Sequence, residues 1–320
     1  MHRPRILNGL LNLAFLALAF PTLVHGTKTR QDMCGLSMHA RDFPDRGSFS
    51  AVEATFTVPQ VAYDPAYDPA VTGRQQDNAS YYPYVNSCVA LCCGDDCSTR
   101  LSAGVQAFST LPGVNEGGKL VFQISPVFAP ETLPETKGDE RFVFNSSDTV
   151  RVRLEILEPH LAHITFTKYQ PSDNTNHTVS IEISIFQSPA GDPMAGISTD
   201  GLGDKDLNWS SHGEEGAPTP TLCGDSAWWY VSDKFDPGEK AARPERLPRF
   251  SPVLIANHGL EATSEHGTTV HWPANLMWSN GARFWNMVRD EGGKTEEMCR
   301  VRGFIDSGMA MVQSSNPWMV

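Results

Sequence analysis

The 320-residue chain carries 37 acidic side chains against 25 lysines and arginines, a formal net charge of −12, with 40% hydrophobic residues. Such a balance excludes the basic patches that nucleic acid or an anionic membrane surface requires. It suits an acidic medium, where carboxylates protonate and self-repulsion falls, and it equally serves plain solubility.

Residues 1–26 read as a secretion leader. Arg3 and Arg5 supply the positive start and Ile6 to Phe20 the apolar run. Val24-His25-Gly26 then fits cleavage before Thr27. The run is too short to span a bilayer comfortably. Losing Arg3 and Arg5 with the leader leaves 23 basic residues against 37 acids, a net charge of −14. Residues 27–48 are expected to form an N-terminal arm across the domain or a short propeptide. Residues 49–320 then make one all-β domain.

Strand-like runs dominate that domain, rich in Val, Ile, Phe and Thr and patterned with period two. In chain order they are Phe49 to Val58, Leu101 to Phe108, Lys119 to Ile124, Thr149 to Leu157, His163 to Tyr169, Thr178 to Phe186, Ala227 to Val231, Val253 to Asn257 and Gly303 to Met311. Val150, Val152 and Leu154 alternate with Arg151, Arg153 and Glu155, as a half-buried strand requires. Ala282 to Arg289 fits two helical turns or a strand equally well. Many strands with almost no helix predict an antiparallel sandwich or barrel. Gln60 to Pro83, Ser125 to Glu140 and Ser188 to Thr221 read as loops, the last (188–221) long for a compact domain.

Seven cysteines, Cys34, Cys88, Cys92, Cys93, Cys97, Cys223 and Cys299, follow the leader, and the oxidising compartment it implies makes disulfides the expected use. Zinc is the rival for the cluster at 88–97, but no second ligand pair has zinc spacing. No cofactor or metal is expected. Sequons at Asn78, Asn145, Asn176 and Asn208 fit a glycoprotein and mark surface positions.

Three catalytic readings fail on the residues. Gly224-Asp225-Ser226 resembles the nucleophile loop of trypsin-like proteases, but Ala227-Trp228 replaces the glycines that build an oxyanion hole. His160 and His163, three apart on a strand, face opposite ways and cannot chelate together. Glu155 and Glu182 sit on solvated strand faces, and nothing pairs them as a glycosidase would.

Five segments in order resemble the glutamic peptidases, or eqolisins, secreted acid endopeptidases typical of filamentous fungi. Thr55-Phe56-Thr57-Val58-Pro59 is similar to their opening T-W-T-V-P strand. Val89-Ala90-Leu91, Cys97 and Leu101-Ser102-Ala103-Gly104-Val105 resemble V-G-I-D-G, C and L-Q-x-G-V. Leu222-Cys223-Gly224 with Ala227-Trp228-Trp229-Tyr230-Val231-Ser232-Asp233 and Phe235 resembles L-C-G-x-x-A-E-W-I-V-E-D-F. Phe250 to Asn257 is similar to F-G-T-V-T-F-T-N, and Gly281-Ala282 through Met287 to the G-A and M near the family's C-terminus.

The resemblance implies a two-sheet, concanavalin-A-like β-sandwich with a peptide cleft on its concave sheet. It also implies a Cys97–Cys223 bridge flanking the two catalytic strands. In the family a glutamate is the general base on a water, and a glutamine positions that water and stabilises the oxyanion. Here the glutamine slot holds Ser102 and the glutamate slot Trp228, whose indole cannot accept a proton. The conceivable substitutes are Gln106, on the face shared by Ser102 and Gly104, and Asp225. Phe56, Ser102, Gln106, Trp228 and Tyr230 are the expected cleft residues.

The expected function is therefore a secreted, monomeric, non-catalytic or strongly impaired homologue binding peptide, protein or glycan in an aromatic cleft. An active acid endopeptidase with relocated groups and a carbohydrate-binding or carbohydrate-active sandwich are the alternatives.

Overall fold

The computed structural model describes residues 23–25, 28–30, 33–43, 47–62, 84–94, 97, 99–109, 116–133, 144–170, 175–201, 207–232, 247–263, 268–273, 281–291, 294–304 and 307–315. Among them lie nineteen strands and one 3-10 turn, Ala40–Asp42. The strands are β1 (Leu23–His25), β2 (Lys28–Arg30), β3 (Cys34–His39), β4 (Ser48–Thr57), β5 (Tyr84–Cys93), β6 (Thr99–Ser109), β7 (Glu116–Ser125), β8 (Glu131–Thr132), β9 (Thr149–Glu158) and β10 (Leu161–Gln170). They continue with β11 (Thr175–Gln187), β12 (Pro193–Asp200), β13 (Asn208–His212), β14 (Ser226–Ser232), β15 (Val253–Thr263), β16 (Thr269–Pro273), β17 (Arg283–Glu291), β18 (Lys294–Phe304) and β19 (Met309–Ser314).

Hydrogen bonds link them into one long antiparallel ribbon. It runs β8-β7-β6-β5-β14-β3-β17-β18-β19-β15-β4-β9-β10-β11-β12-β13. Only β2 pairs in parallel, along β17. A ribbon this long buries its apolar face by folding on itself. The half containing β7, β6, β5 and β14 stacks on the half containing β4 and β9, which gives the β-sandwich expected from the sequence.

Alternation explains which side chains meet inside. Val150, Val152 and Leu154 of β9, and Val179, Ile181 and Ile183 of β11, are buried. From the facing half, Ala103, Val105, Val89, Leu91, Ala227, Trp229 and Val231 join the same core. Trp229 also ties the layers with a polar contact, its Nε1 donating to the backbone oxygen of Glu53 at 2.8 Å. Burying an aromatic of this size with its N–H satisfied is among the larger single contributions a core can receive.

Several expectations are corrected. Residues 188–221 are not one loop, because β12 and β13 lie there and extend the sheet beyond β11. Gly303 to Met311 is not one strand, since β18 ends at Phe304 and β19 begins at Met309. The open choice at 282–289 resolves as the strand β17. Within residues 27–48, expected to be an arm across the domain or a short propeptide, all six residues of β3 are buried and the strand joins β14 to β17. Most of the leader, and the 63–83 loop with Asn78, lie outside the described residues.

Candidate functional site

Opposite the core, β14, β5, β6 and β7 present a second face, and register fixes what stands on it. Four rows cross these strands. Ser226, Cys92, Arg100 and Ser125 form the first, and Trp228, Ala90, Ser102 and Gln123 the second. Tyr230, Cys88, Gly104 and Val121 form the third, and Ser232, Asn86, Gln106 and Lys119 the fourth. On the other flank of β14, His39, Ser37 and Gly35 of β3 extend the first three rows. Arg283 and Trp285 of β17 extend the second and third.

Ser102 and Trp228, which the sequence resemblance sets against the family's catalytic pair, thus share a row and a face. They are separated only by Ala90, about 10 Å across two strand spacings. Ser102 is fully buried, Trp228 is 2% exposed and Tyr230 is 1% exposed. The Trp228 indole donates to Ser226 Oγ at 3.0 Å. Its ring stacks on Trp285 with centroids 5.8 Å apart, and His39 meets it edge-on at 6.3 Å. Trp285 in turn donates its Nε1 to Ser37 Oγ at 2.8 Å. Lys28 and Arg30 of β2 lie over this aromatic pair, the Arg30 guanidinium 4.8 Å from the Trp228 ring and 5.8 Å from that of Trp285.

Beside the pair stands a group of buried polar side chains. The Arg100 guanidinium sits 5.6 Å from the Tyr230 ring. Cys88 stands beside Tyr230 in its row, and Ser102 lies one row away on β6. Neither the Tyr230 nor the Ser102 hydroxyl has a hydrogen-bond partner of ordinary geometry, and Gln123 Oε1 and Asn86 Nδ2 are in the same condition. Burial pushes the Cys88 thiol up to about 12, against the pull of the Arg100 charge and the Tyr230 contact. Burial also raises the Tyr230 phenol. Both groups are therefore neutral, and Cys88 is no ready nucleophile. Four buried polar atoms without protein partners on one face mark a place built to hydrogen-bond something else, water or ligand.

The substitutes considered for the missing dyad do not converge. Gln106, half-buried, donates to Asn86 Oδ1 at 3.2 Å in the fourth row. Asp225, exposed, accepts from the Gly94 amide at 2.7 Å beyond the first row. Six residues separate the Gln106 row from the Arg100 row, about 20 Å along the strand. Phe56, expected on the cleft floor, is instead in the core: β4 places it between Ile255 and Val150, and none of it is exposed. The strand carrying it belongs to the opposite layer, which sequence parity alone cannot reveal.

The disulfide expectation is also corrected. Cys97 pairs with Cys92, and Cys223 with the neighbouring Cys93. Register explains the choice. Asp225 hydrogen-bonds through its amide to the Cys92 carbonyl, so the chain entering β14 runs past the end of β5 and sets Cys223 against Cys93. Cys34, Cys88 and Cys299 are buried outside both bridges. Asn145, Asn176 and Asn208 are all exposed.

The sequence reading missed Gln123, an amide directly opposite Ser102, although its isolation between Phe122 and Ile124 was visible. It also missed Arg100, Cys88 and Trp285. Glu155 and Glu182 gain a link as well: both stand in register with His163, on the far face of the other layer, and Glu155 lies 3.6 Å from its Nδ1.

The architecture so defined is an antiparallel sandwich with a polar and aromatic face opposite its core. It is similar to scytalido-glutamic peptidase crystallised with a peptide-based transition-state analogue. That likeness has a TM-score of 0.50 at 11% sequence identity, covering 90% of this chain and all of that one. A second structure of that peptidase, with a transition-state analogue inhibitor, gives 0.50 at 12% identity with the same coverage. No family model matches the chain, and no curated protein matches it. The fold is eqolisin-like.

Proposed function

We propose that the protein is a secreted, non-hydrolytic relative of the glutamic peptidases that binds peptide on the face bearing Trp228. One observation carries this reading. The row that joins the two catalytic slots holds a hydroxyl, a methyl and an indole, with an amide at Gln123, and no carboxylate. Strands β5, β6, β7 and β14 together contain one acidic residue, Glu116, at the start of β7 and seven positions from Gln123. A water-activating base within hydrogen-bond reach is thus missing from the strands that should supply it. Secretion is supported by the leader-like start and the two bridges, and the peptide by the likeness of the fold to peptidases crystallised with transition-state analogues.

The test is restoration. Purified wild-type protein incubated with denatured protein from about pH 2 to 5 is expected to yield no cleavage. A Ser102→Gln, Trp228→Glu double variant, checked for its β-sheet circular dichroism, is expected to gain acid cleavage, since a general base contributes about 10²- to 10⁴-fold. Wild-type cleavage that disappears in Gln123→Ala, Gln106→Ala or Asp225→Ala would establish relocated catalysis instead.

A further inference from the structure

We infer that the Trp228–Trp285 pair is a recognition site for the guanidinium group of a peptide arginine, and that Arg30 of this same chain occupies it. The inference rests on the reading of this face as a peptide-binding surface and names the chemistry it selects.

Two indoles stacked at 5.8 Å with an interplanar angle of 29° present a broad electron-rich surface. Cations settle over such faces, tryptophan being the strongest partner, and arginine adds planar stacking to the charge attraction. The chain supplies the demonstration itself. Arg30 lies over both rings, while Lys28 stands 5.1 Å from the Trp285 ring alone. The planar cation takes the position shared by the two indoles, and the ammonium the flank.

The site is also held in shape. The Trp228 N–H is fixed by Ser226 Oγ and the Trp285 N–H by Ser37 Oγ, so neither ring needs to reorient to accept a ligand. Arg30 stands at the end of β2, a three-residue strand that is half to fully exposed and runs parallel along β17. A short parallel pairing at a sheet margin is among the cheaper contacts to exchange. A ligand arginine therefore replaces Arg30 like for like, and β2 acts as a competing internal ligand.

Binding of N-acetyl-arginine amide to the full chain, followed by intrinsic tryptophan fluorescence and calorimetry, tests this. Arg30→Ala is expected to bind the probe at least tenfold more tightly than wild type. The isosteric but neutral citrulline amide is expected to bind that variant at least tenfold more weakly than the arginine amide. Adding Trp285→Leu to Arg30→Ala should abolish binding, and Trp285→Phe, which keeps an aromatic face, should retain part of it. Equal affinities of wild type and Arg30→Ala, or of arginine and citrulline amides, overturn the proposal. Spermidine binding as tightly as the arginine amide overturns the peptide assignment in favour of free polycations. If Arg30→Ala ignores the arginine amide while wild type binds neutral peptides, this inference fails and the peptide-binding reading stands. If neither protein binds any peptide, both fail.

Discussion

A methyl group at Gly104 would collide with the Ser87 carbonyl oxygen and the Cys88 sulfur, and one at Gly35 with the Trp229 carbonyl oxygen. Both glycines stand in the row of Tyr230, Gly35 next to it on β3 and Gly104 beyond Cys88 on β6, where the backbone leaves no room for a side chain. Gly104→Ala is expected to destabilise the fold by about 1–3 kcal/mol or more, because the obstacle is backbone and cannot rotate away. Urea unfolding measures this directly; an unchanged midpoint would show that β5 and β6 part without cost. Trp229 is the complementary case, one residue from Trp228 but on the core side. Trp229→Ala is expected to cost about 3–5 kcal/mol, and the loss should appear in thermal unfolding whatever ligand the opposite face binds. Of these residues, Trp228 and Ser102 were legible from the motif order alone. Arg30 and Trp285 were not, since 255 positions of chain separate two groups that only the pairing of β2 with β17 brings together.

At the scale of elements, the Cys93–Cys223 bridge ties the end of β5 to the approach to β14, across a sequence separation of 130. Closing a loop that long removes much of the freedom of the unfolded chain, about 4–5 kcal/mol in the chain-entropy account. Cys93→Ala with Cys223→Ala is expected to lower the melting temperature substantially. Cys92→Ala with Cys97→Ala, which opens a five-residue separation, is expected to lower it less. Differential scanning calorimetry of the two double variants checks the order. The sequence exposed the strands that alternate cleanly. β4, β9, β11 and β14 were legible because one face is apolar and the other polar or aromatic. β12 and β13 were hidden because Gly, Pro and Asp crowd the turns around them and only a few Val, Ile or aromatic residues mark the strands themselves. β3 and β5 were hidden because, buried on both faces, they do not alternate. The bridge was misassigned for a related reason: Cys92 and Cys93 are adjacent, and only the strand ends decide which sulfur faces which partner.

For the whole molecule, acid is the informative variable. His258 is buried against the Trp229 ring, and burial lowers its pKa from the ordinary 6.5 to about 3. Between those values the unfolded chain takes up a proton that the folded chain refuses, so stability falls as pH drops from about 6.5 toward 3. The full effect is on the order of 5 kcal/mol. Glu155 acts in the same direction. Burial would raise its pKa, but the Arg153 hydrogen bond and charge, with help from His163, hold it below the usual value. Its contribution is present above the ordinary carboxylate range and is lost as pH falls through the lowered pKa. Relief of net negative charge opposes both, but it is spread over a screened surface. Melting temperatures from pH 7.5 to 3.5 are therefore expected to fall more steeply for wild type than for His258→Gln; parallel curves would contradict this.

The measurement that tests this most directly is a mass-spectrometric search for new peptide termini after the wild-type protein meets a diverse peptide mixture from pH 2 to 5, alongside the Trp228→Ala variant. The account predicts retention of peptides on the wild-type protein and no termini above those of a protein-free control. New termini that accumulate with wild-type protein and vanish when Ser102 or Gln123 is replaced would show that hydrolysis survives without the glutamate.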